Sequence, residues 1–184
     1  MTDIYLVRHG EAAASWGQAP DPGLSPLGHE QAIAAARTLQ PLLAGDAVQL
    51  ISSPLARARE TSAPLASELG QTVTIDTAFT EIKAPVPLAE RQPWLRQFMA
   101  QRWDQQPQSL HQWRDQALMQ LIAFESTVVV FTHFLVINAV VGDILAVPET
   151  LCCWPDNGSI TQLRKNGGRL ELVALGEQMP TVVN

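Results

Sequence analysis

Charge is scarce in this 184-residue chain: 16% of its residues are charged, and 12 basic side chains face 18 acidic ones for a net charge of −6. A protein that grips nucleic acid through its phosphates needs a basic stripe, so that class is excluded and any anionic ligand must be held by a local cluster. Cysteine is scarcer still. Cys152 and Cys153 are the only two, and adjacent thiols suit neither a disulfide framework nor a four-ligand zinc site, so they read as reduced. The amino-terminal residues show no basic, apolar leader, which makes the cytoplasm the expected compartment. Long hydrophobic runs are missing too. Residues 127–141 are mostly apolar but fall short of the roughly 20 residues a membrane span takes, and they contain His133 and Asn138. A buried strand leading into a buried helix accounts for that run, and no membrane partner is expected. What the chain does have is 46% hydrophobic residues. At this length one core can bury roughly 70% of the unfolded surface without a metal or disulfide staple.

Residues 4–7 form a β-branched and aromatic run that stops at Arg8 and His9, and they predict a central strand. Ser25 and Pro26 offer an N-cap and a first-turn proline for a helix with Ala32, Ala35, Ala36 and Leu39 on one face. Residues 48–51 read as a second strand. Ser53 and Pro54 then repeat the cap and proline before a helix whose inner face holds Ala58, Ser62, Leu65, Ala66 and Leu69, with Pro64 expected to bend or interrupt it. Residues 73–75 make a weaker strand, and about 83–114 read as a helical insert rich in Pro, Trp, Gln and Arg. A helix over about 112–124 with Ala117, Leu118, Leu121 and Ile122 inward leads to the most hydrophobic strand, 127–131, which should be the sheet's centre. A helix over about 135–145 follows. The chain closes with a hairpin of residues 160–163 and 170–175 around Asn166, Gly167 and Gly168. The expected fold is an α/β three-layer sandwich: a mostly parallel sheet with helices on both faces and an antiparallel edge hairpin.

Three of these strands end in polar groups that a core would not choose. Arg8 and His9 follow the first, Ser52, Ser53 and Arg57 the second, and Thr132 and His133 the central one. In an open parallel sheet the crevice lies at the carboxyl ends of the strands, so these groups should converge. Two arginines and two histidines in one pocket repel each other unless an anion lies among them, and a phosphoryl group suits forked guanidinium donors best.

The motifs LVRHGEA at 6–12, DPGLSPLGHEQA at 21–32, SSPLARARET at 52–61 and DNGSIT at 156–161, with a late apolar strand ending in His133, resemble the histidine phosphatase superfamily, the phosphoglycerate-mutase-like fold. The resemblance implies a metal-independent phosphatase with no cofactor that acts on a small phosphomonoester. His9 would be the nucleophile, carrying the phosphoryl group as phosphohistidine, its tautomer fixed by a backbone acceptor near Gly10. Arg8, Arg57 and His133 would hold the phosphoryl oxygens, and Glu81, in FTEIKAP, would be a general acid with a raised pKa. Ser15 stands where cofactor-dependent mutases keep an asparagine, and the chain leaves little room for their extra segments, so phosphatase is expected over mutase. Phe134 and Leu135 follow His133 where many relatives have glycine, which makes that pocket wall bulkier. Asn157 and Ser159 resemble a segment that lines the site in related sequences. The insert would roof the pocket, with Lys83, Arg91 and Arg96 available to a second anionic group. A phosphate-binding adaptor with poor turnover and a phosphatase for protein phosphohistidine remain open as alternatives, and monomer and homodimer are both compatible with the sequence.

Overall fold

The computed structural model describes residues 1–14, 19–43 and 47–180. Its sheet has six strands: β1 (Thr2–Arg8), β2 (Gln49–Ser52), β3 (Thr74–Ile75), β4 (Val128–Thr132), β5 (Ile160–Asn166) and β6 (Arg169–Ala174), ordered β3-β2-β4-β1-β5-β6. The strands β3, β2, β4 and β1 run parallel, while β5 and β6 add an antiparallel edge. Five helices, α1 (Pro26–Leu39), α2 (Ala56–Leu69), α3 (Arg91–Met99), α4 (Gln108–Ala123) and α5 (Phe134–Ile144), cover it. Strand periodicity decides which face each side chain joins. Ile4, Leu6, Val128 and Val130 pack with Ala117 and Leu121 of α4 and with Val136, Ile137 and Val140 of α5. Tyr5, Val7, Val129 and Phe131 point the other way, onto Ala35 and Leu39 of α1 and Leu65 of α2. Two dry interfaces on opposite faces make this a three-layer sandwich, and a parallel strand buried on both faces has to be apolar throughout, as β4 is.

Residues 83–114 hold α3, two short helical turns and the start of α4. A third apolar cluster of Ile82, Leu95, Phe98, Trp103 and Leu110 anchors this stretch on Phe134, Leu135 and Ala139 of α5. Among the described residues no helix is long and apolar enough to cross a membrane.

Several expectations need adjustment. Ser25 caps α1 as read, accepting from the Gly28 N–H. Ser53 does not cap α2: Leu55 is the N-cap residue, and the Ser53 hydroxyl instead meets the Leu55 N–H and the ring of His133. Pro64 does not interrupt α2, which continues to Leu69. α4 begins four residues before the expected 112, because the Pro107 carbonyl already accepts from Leu110 and His111. Ile122 is 38% exposed rather than inward. Asn166 is the last residue of β5, paired with Arg169, so Gly167 and Gly168 alone form the turn, both at positive φ as a tight two-residue hairpin requires. The centre of the sheet is shared by β4 and β1.

Candidate active site

The site begins with strand register. Arg8 of β1 lies beside Thr132 of β4, and Ser52 of β2 beside Phe131. One residue further the chain leaves the sheet, held by hydrogen bonds from His9 N–H to the Thr132 carbonyl and from Ser53 N–H to the Phe131 carbonyl. His9, His133 and Ser53 therefore emerge at one level on neighbouring strand tips. The rings of His9 and His133 lie 5.2 Å apart at 60°, and the Ser53 hydroxyl is 2.7 Å from His133 Nε2.

Two contacts assign the His9 tautomer. Nδ1 is 2.7 Å from the Gly10 carbonyl, which can only accept, so Nδ1 carries the proton. Arg57 Nε donates to Nε2 over 3.1 Å, so that atom presents a lone pair. Burial and the neighbouring Arg57 charge push His9 down from 6.5 to about 3, leaving a neutral imidazole. Gly10 is itself fixed. Its N–H donates to Thr61 Oγ1 over 3.0 Å, and that hydroxyl donates to the Arg57 carbonyl over 2.7 Å, joining the His9 loop to the helix that carries Arg57. A Cβ at Gly10 would lie 2.4 Å from the Gly28 carbonyl oxygen, so this loop can rest on the first turn of α1 only if residue 10 is glycine.

Arg8 is held from the far end of the chain. Its Nη1 donates to the Pro155 carbonyl over 2.8 Å and approaches the Met179 sulfur at 3.4 Å, while the guanidinium stands 5.1 Å above the Phe134 ring. Burial lowers its pKa to about 10, which still leaves it charged at neutral pH. Burial also lowers Arg57 and pushes His133 well below the ordinary histidine value, with the neighbouring His9 ring and the Arg57 charge adding to the effect. Glu81 is buried between the Ile82 and Leu135 N–H groups, which its two oxygens accept at 2.9 and 3.3 Å. Burial raises its pKa against those hydrogen bonds and the charges of Arg57 and Arg91. Among the described residues five buried side-chain polar atoms have no protein partner, Trp103 Nε1, Ser159 Oγ and three nitrogens of this cluster, Arg8 Nε, Arg91 Nε and His133 Nδ1. Polar atoms in that condition are rare inside proteins, and the three gathered here are free to meet a ligand.

Arg8, His9, Arg57, Glu81 and His133 are thus brought together, with the Arg91 charge felt by Arg57, Glu81 and His133. Of the other expected site residues, Phe134 and Arg91 adjoin these five, while Lys83, Asn157 and Ser159 line other clefts. Lys83 is exposed and lines a groove of about 240 Å³ with Trp94, Gln97 and Gln101, whose walls include none of the five. Asn157 and Ser159 line a cleft on the α1 side with Gln31 and Thr38. Their segment backs the site through main chain, the Ser159 carbonyl accepting from Arg8 N–H and the Gly158 N–H donating to the Arg8 carbonyl, and through the charge of Asp156 on Arg8. Phe134 is more than a bulky wall: its ring lies under Arg8 and 5.6 Å from Trp154. Ser15 lies outside the described residues. Sequence reasoning placed Ser53 among the converging strand tips without giving it a partner, and did not single out Thr61, Pro155 or Met179 as site residues. Thr61 was legible in principle, because a threonine four residues after an arginine on one helix returns its hydroxyl to that residue's carbonyl. Pro155 and Met179, 147 and 171 residues from Arg8, left no local signal.

The histidine phosphatase superfamily, branch 1, matches residues 4–178. Among curated proteins, glucosyl-3-phosphoglycerate phosphatase of Mycolicibacterium vanbaalenii is 40% identical over 85 residues, 42% of this chain and 35% of that protein. An uncharacterised protein of Mycobacterium tuberculosis is 38% identical over 84 residues, 44% of this chain and 40% of that one. The matched stretch thus spans well under half the length of these curated relatives. Among solved structures, a phosphoserine phosphatase of Entamoeba histolytica in complex with 3-phosphoglyceric acid superposes with a TM-score of 0.75 at 22% identity, covering 97% of this chain and 98% of that one. A mycobacterial glucosyl-3-phosphoglycerate phosphatase with inorganic phosphate gives 0.71 at 23% identity, covering 97% and 98%. With the family matched from the first strand to beyond the last, the chain belongs to branch 1 of the histidine phosphatase superfamily.

Proposed function

We propose that this protein is a phosphomonoester hydrolase that works through a phosphohistidine on His9. The observation that carries the reading is the state of His9: a neutral imidazole with its proton fixed on Nδ1 and the Nε2 lone pair facing Arg57. As a phosphoryl group enters, Arg57 exchanges Nε2 for a phosphoryl oxygen. The Nε2 lone pair forms a bond to phosphorus, the bond to the leaving oxygen breaks, and protonated Glu81 gives its proton to that oxygen. Water then attacks phosphorus, the N–P bond breaks, and Glu81 takes the proton of the water. Arg8, Arg57 and His133 bind the equatorial oxygens, where the unpartnered Arg8 Nε and His133 Nδ1 are available. Such groups stabilise developing charge by position, and losing one costs about 3 to 4 kcal/mol in barrier.

The substrate is a small phosphomonoester with a second anionic group, read by Arg91 at the start of α3. Arg91 supports this by its unpartnered buried nitrogen and by the reach of its charge to Arg57 and Glu81. The names of the relatives, glucosyl-3-phosphoglycerate phosphatase and phosphoserine phosphatase, describe phosphate esters that also carry a carboxylate. Residues 83–114 form the roof over the leaving group, and the cytoplasm is its setting. The test is hydrolysis of p-nitrophenyl phosphate with a chelator present, by wild type and His9→Ala, with acid-labile phosphate trapped on the protein. Wild type should turn over and His9→Ala should not. Turnover that survives the substitution, or a wild type that binds phosphate without hydrolysing the ester, overturns the reading, the second outcome favouring an adaptor.

A further inference from the structure

The catalytic scheme leaves one reactive pair unused. Cys152 and Cys153 sit against the second turn of α5, their sulfurs 3.9 Å apart, Cys152 half-buried and Cys153 buried. Both backbone N–H groups converge on one atom: Asn138 Oδ1 accepts from Cys152 N–H at 2.8 Å and from Cys153 N–H at 2.9 Å, with the Cys153 sulfur 3.5 Å away. Asn138 is itself buried in α5 and its amide nitrogen donates to the Phe134 carbonyl. The next two residues reach the site. Trp154 packs on Phe134, and the Pro155 carbonyl holds Arg8 Nη1.

We infer that Cys152 and Cys153 are a site of reversible oxidation by hydrogen peroxide, closing to a disulfide between neighbouring residues that loosens Arg8. Cys152 reacts first, because it is the more exposed thiol and its pairing with the Cys153 sulfur draws its pKa down, whereas the same pairing and burial push Cys153 up. Its thiolate attacks a peroxide oxygen, the O–O bond breaks, and the sulfenic acid and one water form. The Cys153 sulfur then attacks the sulfenic sulfur, the S–O bond breaks, and the displaced hydroxide leaves as water with the Cys153 proton. Two thiols lose two electrons and one peroxide becomes two waters.

Closing the bond has to move the chain. Disulfide-bonded residues usually have Cα atoms about 4.4 to 6.8 Å apart, and consecutive residues are held at about 3.8 Å. The ring therefore closes only under strain, with the backbone torsions of both residues twisted from their present values, and with both N–H groups on a single oxygen that twist loosens at least one. Trp154, packed on Phe134, and Pro155 follow directly, so the displacement reaches two of the groups around the guanidinium, the Phe134 ring and the Pro155 carbonyl.

The effect on Arg8 uses its proposed role as a phosphate ligand; the chemistry of the pair does not. The test treats the purified protein with stoichiometric hydrogen peroxide and reads intact mass, a peptide map, inorganic phosphate binding by calorimetry and KM for p-nitrophenyl phosphate, before and after dithiothreitol. The expected result is loss of two hydrogens mapped to Cys152 and Cys153, with phosphate Kd and KM raised about tenfold, the effect of disturbing one charge-assisted hydrogen bond, and both restored by dithiothreitol. Cys152→Ser and Cys153→Ser should keep reduced-state activity and lose the reversible response; if one fails to fold, the other suffices. Direct passage of Cys152 to sulfinic acid, or a bond linking two chains, overturns the site. An internal disulfide that leaves phosphate binding unchanged overturns its link to Arg8, and a mass change in a protein that never hydrolyses the ester separates failure of the proposed activity from failure of this site.

Discussion

At the scale of single residues, burial moves the titration of Arg8, His9, Arg57, Glu81 and His133 away from their ordinary values. Glu81 is the clearest instance, because burial favours its protonated form even with two N–H groups and two arginine charges pulling the other way. A carboxyl held that way is prepared to donate, and donation matters most when the leaving alcohol is a poor one. Glu81→Gln is therefore expected to slow hydrolysis of an alkyl phosphomonoester by about 10²- to 10⁴-fold and to affect p-nitrophenyl phosphate far less, since nitrophenolate departs without a proton. On the alkyl ester, wild-type kcat/KM should fall on the alkaline side as Glu81 ionises, and the variant should lack that limb. Steady-state kinetics on the two esters decides it; equal losses on both would remove Glu81 from proton transfer.

At the scale of elements, the site depends on how the β1 loop is fastened to its helices. Thr61 is the fastener, taking the Gly10 N–H and giving its own proton to the Arg57 carbonyl. Thr61→Val keeps the shape and removes both bonds, leaving a buried N–H without a partner at about 1 to 3 kcal/mol. The expected outcome is a lower Tm together with a lower kcat, because Gly10 sets the His9 ring; Thr61→Ser should restore both. Thermal denaturation beside single-turnover kinetics checks this, and a variant that loses stability but keeps kcat would make Thr61 structural only. The same fastening shows what a sequence can and cannot reveal. β1, β4 and the Ser25 cap were legible because apolar runs and capping chemistry act over a few residues. The meeting of Arg8, His9, Arg57 and His133 was legible because polar residues at the tips of buried strands share one edge of a parallel sheet. Ser53 misled because Ser-Pro is also the opening of a helix, and here its hydroxyl is engaged by His133 instead. Lys83 was expected, as part of the insert roofing the pocket, to meet a second anionic group, yet side chains on an irregular segment need not share a direction with their neighbours, and it lines the groove of Trp94.

At the scale of the whole molecule, these burials make folding stability depend on pH in a way that can be worked out. Folded His9 titrates at about 3 and His133 well below 6.5, whereas both titrate near 6.5 once the chain unfolds. Below about pH 6.5 the unfolded chain thus binds up to two more protons there than the folded one, so stability present above that pH is lost as pH falls. Glu81 acts in the opposite sense. Its folded pKa lies above the ordinary 4.5, so its contribution is full below 4.5 and is lost as pH rises through the folded value. Over the acid range the two histidines thus oppose one carboxyl, so stability falls on acidification, and less steeply than the two histidines alone would make it. His9→Asn keeps a donor for the Gly10 carbonyl but takes one titrating group out of the balance. Its Tm should therefore fall less steeply than wild type between pH 7 and pH 5. Calorimetric melts across that range measure the two slopes, and parallel slopes would mean that the His9 imidazole is not held neutral by the fold, which removes the basis for proposing it as the nucleophile.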